Sequence, residues 1–121
     1  NSLHHKLHNI IPCNIFSKQV LHTRANNVPN MPHREPMTGR IKCGVIEREG
    51  GNMLDHNILM PNGDVLLCCM DYGQQHKLGN LMIDSYEDLF KSKTYKHVCM
   101  AMKDNIVMPL LCRTCSEAIP G

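Results

Sequence analysis

Cys112 and Cys115 stand two residues apart near the end of the chain. Two thiolates at that spacing can converge on one metal centre, as they do in structural zinc sites and in iron–sulfur sites. The pair has two other readings. A redox dithiol would need a strand–motif–helix setting that the flanking residues do not supply. Two ordinary buried thiols would need no partners at all. A four-coordinate centre requires two more thiolates, and Cys43 and Cys68 are the best candidates, one on each of two neighbouring strand-like segments. The set Cys43, Cys68, Cys112 and Cys115 would join both ends of residues 43–115. Cys99, on a helical stripe, and Cys13, beyond a proline-rich segment, are the runner-up ligands.

Other chemistry is thin. His4, His5 and His8 lie in a polar end with no neighbouring ligand at a recognisable spacing. His56, His76 and His97 are expected to be solvated or satisfied rather than ligating. Asp64, Asp71 and Glu117 are expected at the surface, and no general acid or base stands out. Arg113, inside the CxxC, is expected either to stabilise thiolate charge or to face solvent.

Several elements must position these thiols. Val20–Arg24 reads as a short strand. The segment 26–40 holds three Pro, three Asn and a Gly in fifteen residues, which is loop composition, because proline fixes φ and removes a donor. Ile41–Ile46 has the β-branched character of a strand around Cys43, and Gly50-Gly51 closes the charged stretch after it as a turn. Asn57–Cys69 reads as a β-hairpin. Asn62-Gly63 between apolar runs predicts a two-residue type I′ turn, which would pair Leu59 with Leu66 and Ile58 with Leu67. One face would then be apolar, with Ile58, Met60, Val65, Leu67 and Cys69. Cys68 would end the other, mixed face, which makes it the favoured ligand of the two adjacent cysteines.

Asp71–Lys77 reads as a polar loop and Leu78-Gly79-Asn80 as a redirecting turn. Asp84 with Glu87 resembles a capping box. Tyr86, Leu89 and Phe90 make one apolar helical turn, Ser92 marks a break, and Tyr95, Val98, Cys99 and Met102 form a second stripe at helical spacing. Asn105–Leu111 is expected to be extended or irregular before the terminal knuckle. The fold class is therefore α+β. A small β-hairpin or sheet is followed by one or two helices, stapled by a four-cysteine metal centre, with an irregular N-terminal segment.

Composition agrees with a stapled core. The 121 residues suit one domain with an attached tail, and nine Met stand where aromatics are scarce, with no Trp and two Phe. Met fills space adaptably but specifies a core weakly, so a metal staple would matter to folding. Residues 1–40 carry five Lys/Arg against one acid, and residues 41–121 carry eight against ten. That shift places a boundary near Gly39–Arg40, between an N-terminal segment 1–40, read as a linker or, from the resemblance described below, as barrel-derived, and a domain over 41–121. A formal charge of +2 gives no reason to expect nucleic acid or a membrane surface as partner. Seven cysteines with no signal peptide or membrane-span pattern point to a reducing cytoplasm. The chain begins at Asn1 rather than Met, as a piece of a longer protein would.

The run PNGDVLLCC, then LGNLMIDSYEDLFKSKTYKHV, then CRTC resembles the SPASM/twitch-type domain that follows the barrel of many radical S-adenosylmethionine enzymes. The matching pieces are Cys43, the Gly63-x4-Cys68 spacing, the Gly79-Asn80 turn before a helix, and the closing Cys112-x-x-Cys115. VLHTRANN at 20–27 faintly resembles the stretch leaving such a barrel. The resemblance implies one [4Fe–4S] cluster held by Cys43, Cys68, Cys112 and Cys115, since a two-cluster domain has a longer cysteine run. It implies an auxiliary cluster that passes electrons or helps to hold the substrate. The CxxxCxxC of the radical-generating cluster is missing from the chain. S-adenosylmethionine would then bind only in a separate barrel, and this chain would be inactive alone. The partners would be that barrel and a peptide or small-molecule substrate. A structural zinc module that binds another protein is the alternative, since the same four thiolates serve zinc.

Overall fold

The computed structural model describes residues 23–103 and 109–121. His4, His5, His8, Cys13 and most of the Val20–Arg24 and Asn105–Leu111 segments lie outside them. The element order is β1 (Ile41–Cys43), α1 (Gly44–Glu49), β2 (Ile58–Leu59), β3 (Asp64–Leu66), β4 (Lys77–Asn80), α2 (Tyr86–Leu89), α3 (Lys93–Lys103), a 3₁₀ turn (Leu111–Thr114) and β5 (Ala118–Pro120). β2, β3 and β4 form one antiparallel sheet in that order, and β1 and β5 form a second. The class is α+β, as the sequence implies.

The strand around Cys43 is shorter than its β-branched content suggests. It stops at Cys43, and Gly44–Glu49 turns into helix. Glycine permits the junction, because an added Cβ on Gly44 would stand 2.7 Å from the Glu117 carbonyl oxygen. The helix ends at Gly50, whose φ of 75° is left-handed. Its amide and that of Gly51 cap the Glu47 and Ile46 carbonyls, which is a Schellman ending.

The hairpin forms with a different loop. Pro61-Asn62-Gly63 is a three-residue connection, closed by the Gly63 amide on the Met60 carbonyl at 2.9 Å and the Met60 amide on the Asp64 carbonyl at 2.7 Å. Pro61 is the reason: its fixed φ suits the first inner position of a type I turn. Among these three residues only Gly63, at φ 93°, takes a positive φ. Pairing therefore moves by one residue, to Leu59 opposite Val65 and Ile58 opposite Leu66. The expected apolar face does not exist as such. Ile58 and Leu59 are exposed, while Val65, Leu66 and Leu67 are all buried.

Leu78-Gly79-Asn80 is strand rather than turn. It pairs with β3 through Asp64–Asn80 and Val65–Gly79, with a bulge before Leu66–Lys77. Gly79 lets α2 approach, since a Cβ there would meet Leu89 Cδ2 at 2.6 Å. The cap of α2 is Ser85, which accepts from the Asp88 amide; Asp84 instead accepts from the Asn80 amide at 3.3 Å. Ser92 does mark the break, accepting from the Tyr95 amide at 3.2 Å and donating to the Leu89 carbonyl.

The core gathers Ile41, Val65, Leu67, Leu78, Leu89, Val98, Ala101 and Leu111 between the sheets and α3. Phe90 packs edge-to-face on both Tyr86 and Tyr95, with centroids 5.1 Å apart in each pair. Such pairs add about 0.5–1.5 kcal/mol beyond area burial, which offsets part of the aromatic scarcity. Residues 23–40 contain no helix or strand. They are nonetheless fastened, because Ala25 joins the core and the Met37 amide donates to the Arg113 carbonyl at 2.8 Å.

Candidate metal centre

Five cysteines line a single cavity of about 90 Å³, and four of them, from three parts of the chain, are the expected ligands. Cys43 enters at the β1–α1 junction, Cys68 two residues beyond β3, and Cys112 and Cys115 from the 3₁₀ turn. The β1–β5 pairing sets Cys43 opposite Ala118. The Gly44 amide also donates to the Glu117 carbonyl at 2.8 Å. Two strands at the ends of the domain thus bring Cys43 beside the knuckle. That ribbon is not evident in the sequence, because Ala118–Pro120 is only three residues long and carries a proline.

The surroundings suit sulfur. The remaining cavity wall is mostly apolar, with Ile46, Leu67 and Leu111 among its residues. One amide points at a thiol, since Glu117 N–H donates to Cys115 Sγ at 3.4 Å; the Met70 backbone acts on Cys68 in the same direction, favouring its thiolate. Amide donors of this kind stabilise thiolate charge and tune a bound centre. Against them stands burial, which pushes the Cys68 thiol up to about 11. Burial also raises Cys112, with further contributions from Cys115, Cys68 and Cys43. Cys115 is raised by burial and by Cys43.

Among the described residues, no three His, Cys, Asp or Glu side chains draw together as a single-ion site. Four of the thiols line one cavity. Their chemistry fits an iron–sulfur centre, which is built on Cys thiolates. Cys69 also borders the cavity, but it is exposed whereas Cys68 is half-buried. The face expected for Cys69, in the core, is therefore wrong, because β3 ends at Leu66 and strand alternation no longer governs the two cysteines. Cys99 lies half-buried on α3 and is not among the residues of this cavity.

Arg113, His76 and Arg34 brace the knuckle, and Asp71 holds the loop that carries His76; none of these roles is expected from the sequence. Arg113 neither faces solvent nor reaches the thiols. It is buried, and it donates to the carbonyls of Met37 (2.7 Å), Gly39 (2.8 Å) and Ala101 (2.6 Å). His76 and Asp71, expected in a polar surface loop, are 1% and 2% exposed. Asp71 accepts the amides of Gln75 and His76, both at 2.8 Å. His76 Nε2 accepts the Leu111 amide at 3.2 Å. Arg34 adds a donor to the Cys115 carbonyl. The one signal available is position: Arg113 sits inside the CxxC. His56 is exposed and pairs with Glu49, Glu117 pairs with Arg48, and Asp64 is held low by Asn80, Asn62 and Lys77.

No curated protein and no solved structure matches the chain. A family model described as SPASM, an iron–sulfur cluster-binding domain, matches residues 52–116. That span contains Cys68, Cys112 and Cys115 and leaves Cys43 just upstream. It covers more than half of the 121 residues, and the chain belongs to the SPASM family of iron–sulfur cluster-binding domains.

Proposed function

We propose that this chain is the auxiliary-cluster domain of a radical S-adenosylmethionine enzyme, with Cys43, Cys68, Cys112 and Cys115 as the ligands of one [4Fe–4S] cluster. The observation that carries the reading is the convergence of these four thiols on one cavity. When bound, the cluster would supply a one-electron donor or acceptor. The protein's own part is to hold the thiols at fixed positions, exclude water with apolar walls, and offer the Glu117 amide to the Cys115 sulfur. These are the means by which a protein sets a cluster's potential.

The radical chemistry belongs to a barrel carrying CxxxCxxC, and the partners are that barrel and the peptide or small molecule it modifies. A reducing cytoplasm is the compartment that suits such thiols. The described residues contain no helix long and apolar enough to cross a membrane.

Anaerobic reconstitution with iron and sulfide tests the reading. The expected product is brown, holds about four irons and four sulfides per chain, and bleaches on reduction. Alanine at any of the four cysteines should lower iron content, and alanine at Cys99 should not. A colourless chain that takes up one zinc and rejects iron would overturn it in favour of a structural zinc module. The coding sequence upstream of Asn1 is the second check; without CxxxCxxC the radical-enzyme assignment fails.

A further inference from the structure

A second, more open cavity of about 520 Å³ shares Cys68 and Cys69 with the first. Its walls include Ile58, Met60 and Leu66 from the hairpin and Arg24 and Tyr72. The volume falls in the range of small-molecule sites, which pair an apolar lining with a few placed polar groups.

Arg24 is the placed group. Its guanidinium lies over the Tyr72 ring, 5.9 Å from the centroid, and one nitrogen reaches the Met70 sulfur at 3.6 Å. A thioether is a weak acceptor, so among the described residues most of the guanidinium's donors have no other partner. Among the described residues no carboxylate pairs with Arg24; the ion pairs form elsewhere. Asp71 borders the same cavity, but both of its oxygens already accept amides.

The backbone beneath Arg24 is unusual. Arg24, Ala25 and Asn26 are successive non-glycine residues with φ of 52°, 54° and 66°. Such a run is costly and persists only where its surroundings hold it. Here they do: Asn27 Nδ2 bonds the Arg24 carbonyl at 2.8 Å and the Met70 carbonyl at 3.1 Å, and Thr114 Oγ1 bonds the Ala25 carbonyl at 3.1 Å. The turn sets Arg24 in the cavity wall and is tied to Met70, two residues after Cys68.

We propose that this cavity is a ligand site that takes a carboxylate on an apolar body, with Arg24 receiving the carboxylate, Tyr72 flanking it, and Ile58, Met60 and Leu66 receiving the apolar part. A guanidinium suits a carboxylate because its parallel N–H groups match the two oxygens. The site borders the proposed cluster cavity through Cys68 and Cys69 but does not depend on metal being there.

Ligand-observed NMR and calorimetry on the cluster-loaded chain test this with N-acetylphenylalanine as probe and its neutral amide as control. The acid should bind at least tenfold more tightly than the amide. Arg24→Gln should abolish that preference, and Arg24→Lys should keep part of it. Iron content should be the same in all three proteins, so failure of the ligand site reads separately from failure of the cluster assignment. A capped tripeptide with aspartate between two leucines, set against its asparagine counterpart, shows whether a carboxylate within a chain is accepted as well as a free acid. The proposal is overturned if acid and amide bind alike in both pairs, if neither probe binds, or if Arg24→Gln leaves the preference intact.

Discussion

Leu111 donates its amide to Nε2 of His76 across 3.2 Å of buried space, and Cys112 is the next residue. An acceptor nitrogen requires a neutral ring. Burial lowers the His76 pKa from its ordinary 6.5, while nearby Asp71 opposes that shift. The unfolded chain therefore takes up a proton near pH 6.5 that the folded chain refuses until a lower pH. The stability contributed by neutral His76 is complete above about pH 6.5 and is lost as pH falls toward the lowered folded value. Urea titrations at pH 7.5 and 5.5 should show the loss. His76→Ala should cost about 1–3 kcal/mol at pH 7.5, from the stranded Leu111 amide. It should also flatten the slope below pH 6.5. An unchanged slope would show that His76 is not the group responsible.

Arg113 fixes the other side of the same turn. Its guanidinium bonds three carbonyls from two remote segments, 37–39 and the end of α3. Removing a buried charged donor strands its acceptors, at a cost of about 1.5–3 kcal/mol for each charged bond of this type. Arg113→Ala should therefore destabilise the fold by about 3 kcal/mol or more. Arg113→Lys should recover only part of this, because an ammonium lacks the planar fork. Denaturation midpoints of the two variants decide it; equal midpoints would mean that charge alone is needed.

Gly44 offers a test of how Cys43 is positioned. A methyl at this position would meet the Glu117 carbonyl at 2.7 Å, a backbone atom that cannot swing aside. Gly44→Ala should spread the β1–α1 junction from the Cys115–Ala118 turn and lower iron retention. Gly50→Ala is the control. Its φ of 75° strains a side chain, but nothing stands within 4 Å of the added carbon. It should cost about 1–2 kcal/mol and leave iron content unchanged. Equal iron loss in both variants would reduce the Gly44 effect to general instability.

What the sequence disclosed follows from the range of the interactions. The Cys112-x-x-Cys115 knuckle, the helical stripe from Tyr95 to Met102 and the existence of a hairpin are local patterns, and each forms. The hairpin register is lost because Pro61, one residue outside the Asn-Gly pair, takes over the turn. Leu78-Gly79-Asn80 reads as a turn only while its glycine is taken for punctuation; it is strand because Gly79 makes room for Leu89. Burial of Asp71 and His76 could not be seen, since their partners are a loop closed on itself and an amide 35 residues away. The β1–β5 ribbon depends on pairing across most of the domain.

Loading should depend on pH because ligand thiols must lose their protons to bind metal. Burial raises Cys68 to about 11 and raises Cys112 and Cys115 as well. At neutral pH the thiolate forms are scarce, and each rises about tenfold per pH unit below its pKa. Uptake of cobalt(II), followed by its thiolate absorption, should accelerate from pH 7 to pH 9 and release protons. A rate independent of pH would mean that the thiols ionise before the cavity closes around them.

The adjacent cysteines give the sharpest test of the ligand set. Cys68 is half-buried, and burial raises its thiol pKa. Cys69 is exposed. Cys68→Ala should lose iron, whereas Cys69→Ala should keep it and leave the fold within about 0.5 kcal/mol of the parent. Cys68→Ser is a useful third variant, since an alkoxide oxygen can ligate weakly while keeping the shape; it should hold less iron than the parent and more than the alanine. Iron loss confined to Cys69→Ala would transfer the ligand role to Cys69, and equal retention in both alanine variants would mean that each can replace the other.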